Sequence, residues 1–237
     1  MINTLNETSL HKTLKSMYAE KTDGKTEVAI PPYIADVVSA DGEIIEIQTA
    51  SPGKLLKKIE FFLSQGKKIR VVYPLAVKKI IETQNPETGE ISGRKSPSSK
   101  TLISVFREIT QLTEILTARN FSLEIVEAEI TEKRILTGEA VQSKNRRRRF
   151  RKNWIKTGKS LNSAGKIFVL HGKSSYKKLL PENLPQFFTS AEFFDGMKAK
   201  FPRAKRDECS VMLWVLAKIG VVEQAGKKGR SKIYVVR

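Results

Sequence analysis

Cysteine occurs once in this chain, at Cys209, and histidine only twice, at His11 and His171. One thiol excludes an internal disulfide and the several-thiolate zinc sites of small metal-binding domains. With Val211 and Met212 beside it on an expected helix, Cys209 reads as packing rather than as a nucleophile. A serine-hydrolase triad would need one of the two histidines, and no Gly-x-Ser-x-Gly elbow accompanies them. Gly172-Lys173-Ser174 ends like a phosphate-binding loop, but Ile167 stands five residues earlier where such a loop needs glycine, so nucleotide hydrolysis is set aside. No apolar run approaches the roughly 18 residues that span a bilayer. The start, MINTLNETS, lacks the charged-then-apolar order of an export signal. The cytoplasm or nucleoid is the expected location, with no membrane partner.

Acid is scarce as well: 25 Asp and Glu stand against 43 Lys and Arg, for a formal charge of +18. Such an excess points to a polyanionic partner, because Lys and Arg bind phosphates with counterion release. The imbalance is local. Between Lys144 and Lys178 the chain carries thirteen Lys or Arg and no acid. In KNRRRRFRKNWIKTGK, the side chains of Arg146, Arg147, Arg148, Arg149, Arg151 and Lys152 are the expected phosphate ligands. Phe150 and Trp154 interrupt the charge with rings able to stack on bases. DNA is the expected partner, and RNA would satisfy the same segment.

Acids also occur where they are costly. Tyr33 to Thr49 reads YIADVVSADGEIIEIQT, which sets Asp36 in one apolar segment and Glu46-Ile47-Gln48 in the next. Carboxylates are rarely buried unless they are paired or bind a metal. The turn decides whether these two act together. A two-residue Asp41-Gly42 loop puts Asp36 opposite Ile47, on the other face from Glu46. A three-residue Ala40-Asp41-Gly42 loop with Gly42 left-handed puts Asp36 opposite Glu46. It also leaves Ala35, Val37, Ile45 and Ile47 together as core. Glu46 and Gln48 share a face in either register.

An acid on an upstream helix (Glu7 in NETSLHKTLKSMYA), Asp36 on one strand, Glu46-x-Gln48 on the next, then a helix (KLLKKIEFFLS, 54–64) and a strand (KIRVVYP, 68–74) together resemble the core of PD-(D/E)xK nucleases, the restriction-endonuclease-like fold. The resemblance covers about the first 80 residues. Ala35 replaces the usual proline, and Gln48 stands where the family usually has lysine. It implies a metal-dependent DNA endonuclease that cleaves phosphodiester bonds. Asp36, Glu46 and the Ile47 carbonyl would hold Mg²⁺ or Mn²⁺. Gln48 would orient the attacking water, and Glu7 would be a further carboxylate. His11 and Lys15 follow Glu7 at one-turn intervals, on a shared helix face that could equally be a surface ion-pair stripe. Members of this fold often act as homodimers. The alternative for the same residues is a non-catalytic DNA-binding regulator or architectural protein with a degenerate nuclease site.

The expected fold class is α/β, a mixed central sheet flanked by helices over residues 1–143, a basic connector over 144–184, and a smaller domain over 185–237. Within the first unit, LAVKKIIET after Pro74 reads as a short helix and residues 85–100 as a long exposed loop. Leu102, Val105, Phe106, Ile109, Leu112 and Leu116 have the spacing of a four- or five-turn helix, and FSLEIVEAEI alternates like a half-exposed strand. In the last unit a helix capped by Thr189 or Ser190, a second helix opened by Pro202 and stopped by Gly220, and two strands joined by GKKGRS look like a winged helix domain. That likeness implies DNA contacts from Arg203, Lys205 and Arg206 at the start of the second helix. Lys227, Lys228, Arg230 and Lys232 would contact DNA from the wing.

Overall fold

A computed structural model describes residues 9–97, 100–143, 146 and 149–237. Helix α1 (Ser9–Lys21) buries Leu10, Leu14 and Tyr18, one turn apart. Strands β1 (Lys25–Ile30), β2 (Tyr33–Val38) and β3 (Ile44–Ile47) follow, and α2 (Leu56–Ser64) then crosses to β4 (Ile69–Gln84), which runs parallel to β3. Both sheet faces are covered. Leu10, Leu14 and Tyr18 pack on Val37, Ile45, Ile47 and Val72, while Ile59 and Phe62 of α2 pack with Ile44, Val71 and Tyr73 on the other side. Strands β6 (Phe121–Val141) and β7 (Lys152–Leu170) complete a mixed sheet ordered β1-β2-β3-β4-β6-β7. Strand β5 (Ile91–Lys95) pairs with the far end of β4. Among the described residues no helix is long and apolar enough to cross a membrane.

Several expectations need correction. LAVKKIIET is not a helix but the continuation of β4, which runs to Gln84. It is rich in β-branched residues and is hydrogen-bonded to β6 on one edge and β5 on the other, a context that overrides weak helical periodicity. Residues 85–100 are not one long loop, because a turn closed by Asn85 and Glu90 returns the chain into β5. The stretch after Thr101 buries all six expected residues, but in 3-10 turns over Leu102–Arg107 and Thr110–Leu112. Ile103, Phe106, Ile109, Leu112 and Ile115 are all buried and recur every three residues, which is the 3-10 period and not 3.6.

The fourth correction concerns the basic connector, because Lys152–Leu170 within it is β7, paired along β6. Acids absent from this segment in sequence stand across from it in space, Glu132 opposite Lys159 and Glu129 opposite Ser163. FSLEIVEAEI is not half-exposed for the same reason. With both faces covered, Glu124 is buried and held by the Tyr18 hydroxyl and by Arg70 at 2.9 Å.

The C-terminal elements are α3 (Gly172–Lys177), β8 (Phe188–Thr189), α4 (Ser190–Lys200), α5 (Arg206–Lys218), β9 (Val222–Lys228) and β10 (Ser231–Val236). Their three strands form a second sheet in the order β8-β10-β9. Thr189 caps α4 in a reciprocal capping box with Glu192. Helix α5 is opened not by Pro202, which sits in the turn before it, but at Arg206, and Gly220 in the left-handed region (φ 67°) follows its end as expected. Cys209 is buried, and burial pushes its thiol up to about 11, as suits a packing residue.

Met212, Leu216, Phe188 and Phe193 share one apolar cluster with Phe62, Phe106 and Phe121, so the C-terminal unit is packed onto the first through the 3-10 segment. Phe106 meets Tyr176 edge-on at 6.4 Å, and Arg107 pairs with Asp207. Phe106→Ala should therefore cost about 3–5 kcal/mol. Far-UV dichroism and Trp214 fluorescence should then report one coincident denaturant transition, shifted as a whole; a Trp214 transition that stays in place would show that the C-terminal unit unfolds independently.

Candidate active site

The β2–β3 turn settles the register. The Ser39 amide donates to Glu43 O at 3.0 Å, the Gly42 amide donates to Ser39 O at 3.0 Å, and Gly42 is left-handed at φ 83°. Val37 pairs with Ile45 and Val38 with Ile44, the register of a three-residue loop. Asp36 accordingly stands beside Glu46. The Ile47 amide donates to Asp36 Oδ2 at 2.8 Å, and the Asp36 amide approaches Glu46 Oε1 at 3.4 Å. Each carboxylate thus leans on the backbone of the other strand.

Two cationic or polar groups reach this pair from the helices. Lys58 of α2 brings its Nζ to 2.5 Å from Glu46 Oε2 and also donates to Ile34 O at 2.6 Å. His11 of α1 sets Nε2 3.3 Å from Asp36 Oδ2. Lys15, one turn on, is buried and pairs with Glu27 of β1, so the α1 polar stripe is not a solvated surface feature.

Not every expected residue joins the pair. Glu7 lies outside the described residues. Gln48 turns its amide back to the carbonyls of Ala50 (2.6 Å) and Ser51 (3.3 Å), fixing the loop after β3. Ile47 is tied to the pair through its amide. Lys58 was missed by sequence reasoning although a signal existed: it lies between Leu55 and Phe62 at helical spacing, on the apolar stripe of α2.

Electrostatics separates the two acids. Burial, then the Asp36 charge beside it, pushes Glu46 up to about 7 against the pull of Lys58. Burial opposes ionisation of Asp36 too, but His11, the Ile47 amide and Lys58 outweigh it and hold that carboxyl below its usual range. Among the described residues no group of three or more His, Cys, Asp or Glu side chains is arranged to hold a metal. The donor set nevertheless fits Mg²⁺, which is commonly held by one or two carboxylates and keeps several waters. Glu46 already has a cation seated on it, the Lys58 ammonium.

Of the expected phosphate ligands, Arg146, Arg149, Arg151 and Lys152 are exposed near the β6–β7 turn, and Arg149 lies over Phe150 at 5.1 Å. Arg147 and Arg148 lie outside the described residues. Arg203, Lys205, Arg206, Lys227, Lys228 and Arg230 are exposed on the C-terminal unit, with Arg206 over Phe194 at 4.6 Å.

Residues 8–171 match the family described as a domain of unknown function, DUF8091. The chain belongs to that family. The matched span closes at the end of β7, so it takes in α1, the Asp36–Glu46 pair and the whole large sheet, and leaves out the C-terminal unit. An uncharacterized protein of Treponema pallidum (strain Nichols) is 29% identical over 235 residues, 98% of this chain and 86% of the relative, so that similarity continues through the C-terminal unit. No solved structure matches.

The raised Glu46 pKa has a consequence for stability. An acid whose folded pKa lies above its unfolded value contributes most below the unfolded pKa, near 4.5, and loses that contribution as pH rises through about 7. In chelator, wild-type unfolding free energy should fall relative to Glu46→Gln between about pH 5 and about pH 8, by up to about 3 kcal/mol. Parallel urea-denaturation curves across that range would contradict the assignment.

Proposed function

We propose that this protein is a metal-dependent DNA endonuclease of the restriction-endonuclease-like kind, carried to duplex DNA by a C-terminal winged helix. The observation that supports it most is the juxtaposition of Asp36 and Glu46 on neighbouring strands, with Lys58 on Glu46. In this reading Asp36 and Glu46 hold Mg²⁺ or Mn²⁺. The chemistry such an ion supplies when bound is a lowered pKa for coordinated water and polarisation of the scissile phosphate. Lys58 supplies the positive charge that Gln48 lacks in place of the family's usual lysine, set where negative charge develops on the phosphate. His11 orients Asp36 by hydrogen bonding, and Gln48 holds the loop beside them.

The winged helix reading draws support from the order α3, β8, α4, α5, β9, β10, with β10 central in its sheet, and from the cationic β9–β10 turn. A second reading, a non-catalytic DNA-binding protein, draws on the Gln48 amide, which is committed to Ala50 and Ser51.

Cleavage of duplex DNA in Mg²⁺ or Mn²⁺ should be lost in Asp36→Ala and in Glu46→Ala while DNA affinity survives. Lys58→Ala should slow it by about 10²–10³-fold. Cleavage persisting in both carboxylate variants would eliminate this centre, and wild-type binding without cleavage would favour the second reading.

A further inference from the structure

Beyond the core, β4, β6 and β7 continue as an arm with β5 on its edge, formed among the described residues by 77–95, 131–143 and 149–161. These 45 residues carry eleven Lys or Arg and five Glu, a net +6 of the chain's +18. Registry sorts the charges by face. Ile81 pairs with both Glu132 and Arg94, Glu132 pairs with Lys159, and Arg134 pairs with Lys156, so Arg94, Glu132, Arg134, Lys156 and Lys159 share one face with Lys79. On the other face Glu82 stands opposite Lys133 and Lys78 opposite Glu129, which leaves Lys95 as the one further cation there among the described strand residues. The first face has five cations to one acid.

Glu132 is the hub of that face. It meets Arg134 at 2.5 Å, Lys156 at 3.5 Å and Lys79 at 3.7 Å, and all three lose entropy and hydration to crowd around a single carboxylate. Lys159 is left facing Lys156, and burial foremost, then that like charge, lowers it to about 8. The Arg134 guanidinium lies 3.6 Å over the Trp154 ring, so one face of the ring is taken up in holding that cation in place.

We propose that this face of the arm is a cradle for the sugar-phosphate backbone of nucleic acid, with Lys79, Arg134, Lys156 and Lys159 as phosphate ligands and Glu132 as the counter-charge that holds them together when the cradle is empty. Charge complementarity carries the choice of partner, and contacts made to phosphates carry no sequence preference of their own. The cradle does not rest on the Asp36–Glu46 centre and would serve a catalytic or a non-catalytic protein alike.

Anisotropy of a short labelled DNA duplex, in chelator and over a salt series, tests this. The triple variant Lys79→Gln, Lys156→Gln, Lys159→Gln should lower the slope of log affinity against log salt by about 2–3. A charge-matched control, Lys25→Gln, Lys54→Gln, Lys67→Gln, should change it by less than about 1. Glu132→Gln should bind several-fold more tightly, a gain that misfolding cannot produce. The cradle is refuted if the two triple variants behave alike, if Glu132→Gln leaves binding unchanged or weakens it, or if the first triple variant loses binding to phosphatidylserine vesicles while keeping DNA.

Discussion

A three-residue turn with Gly42 in the left-handed region sets the phase of β3 against β2, and the chemistry of the N-terminal half follows from that phase. Shifted by one residue, Glu46 would enter the α1 face among Leu10, Leu14 and Tyr18, and Ile45 or Ile47 would face Asp36. In the observed phase the apolar residues go to α1 and the acid meets both its like-charged neighbour and Lys58. A Cβ at position 42 meets no atom within 4 Å, so the demand for glycine there is conformational and not steric.

Two buried glutamates show how a structural acid and a site acid differ. Glu124 has the Tyr18 hydroxyl and Arg70, which is itself tied to Glu43 at 2.6 Å, so opposite charge and hydrogen bonds surround it. Glu46 is equally buried, yet the Asp36 charge lies beside it, and Lys58 with the distant Asp36 amide does not offset both. Two carboxylates with one ammonium beside them in a dry setting have their pKa values driven apart, a pattern that clusters at functional sites. The arm shows the reverse imbalance, too many cations for one carboxylate. One sheet therefore carries a crowded pair of acids near its N-terminal helices and a crowded cationic face on its arm.

Much of this was legible from the chain. YIADVVSADGEIIEIQT contained both registers, and only the Gly42 conformation chose between them. The α2 crossover, the Thr189 cap and the Gly220 stop were readable because local chemistry fixes them. The long strands were not, since LAVKKIIET and the basic run after Lys144 owe their extended form to partners distant in sequence, β6 above all. The 3-10 segment misled because residues buried three apart also suit an α-helix at short range. Lys58 escaped notice because a lysine among apolar residues on a helix reads as solvated until the opposing strand is known to carry Glu46.

The central claim is that Asp36 and Glu46 form one cation-binding unit. Calorimetric titration with Mn²⁺ tests it without any substrate. Wild-type protein should bind one ion per chain with a heat that depends on buffer ionisation, because Glu46 gives up a proton, and Asp36→Asn should lose that binding. No binding by the wild type, or equal binding by the variant, would contradict the account.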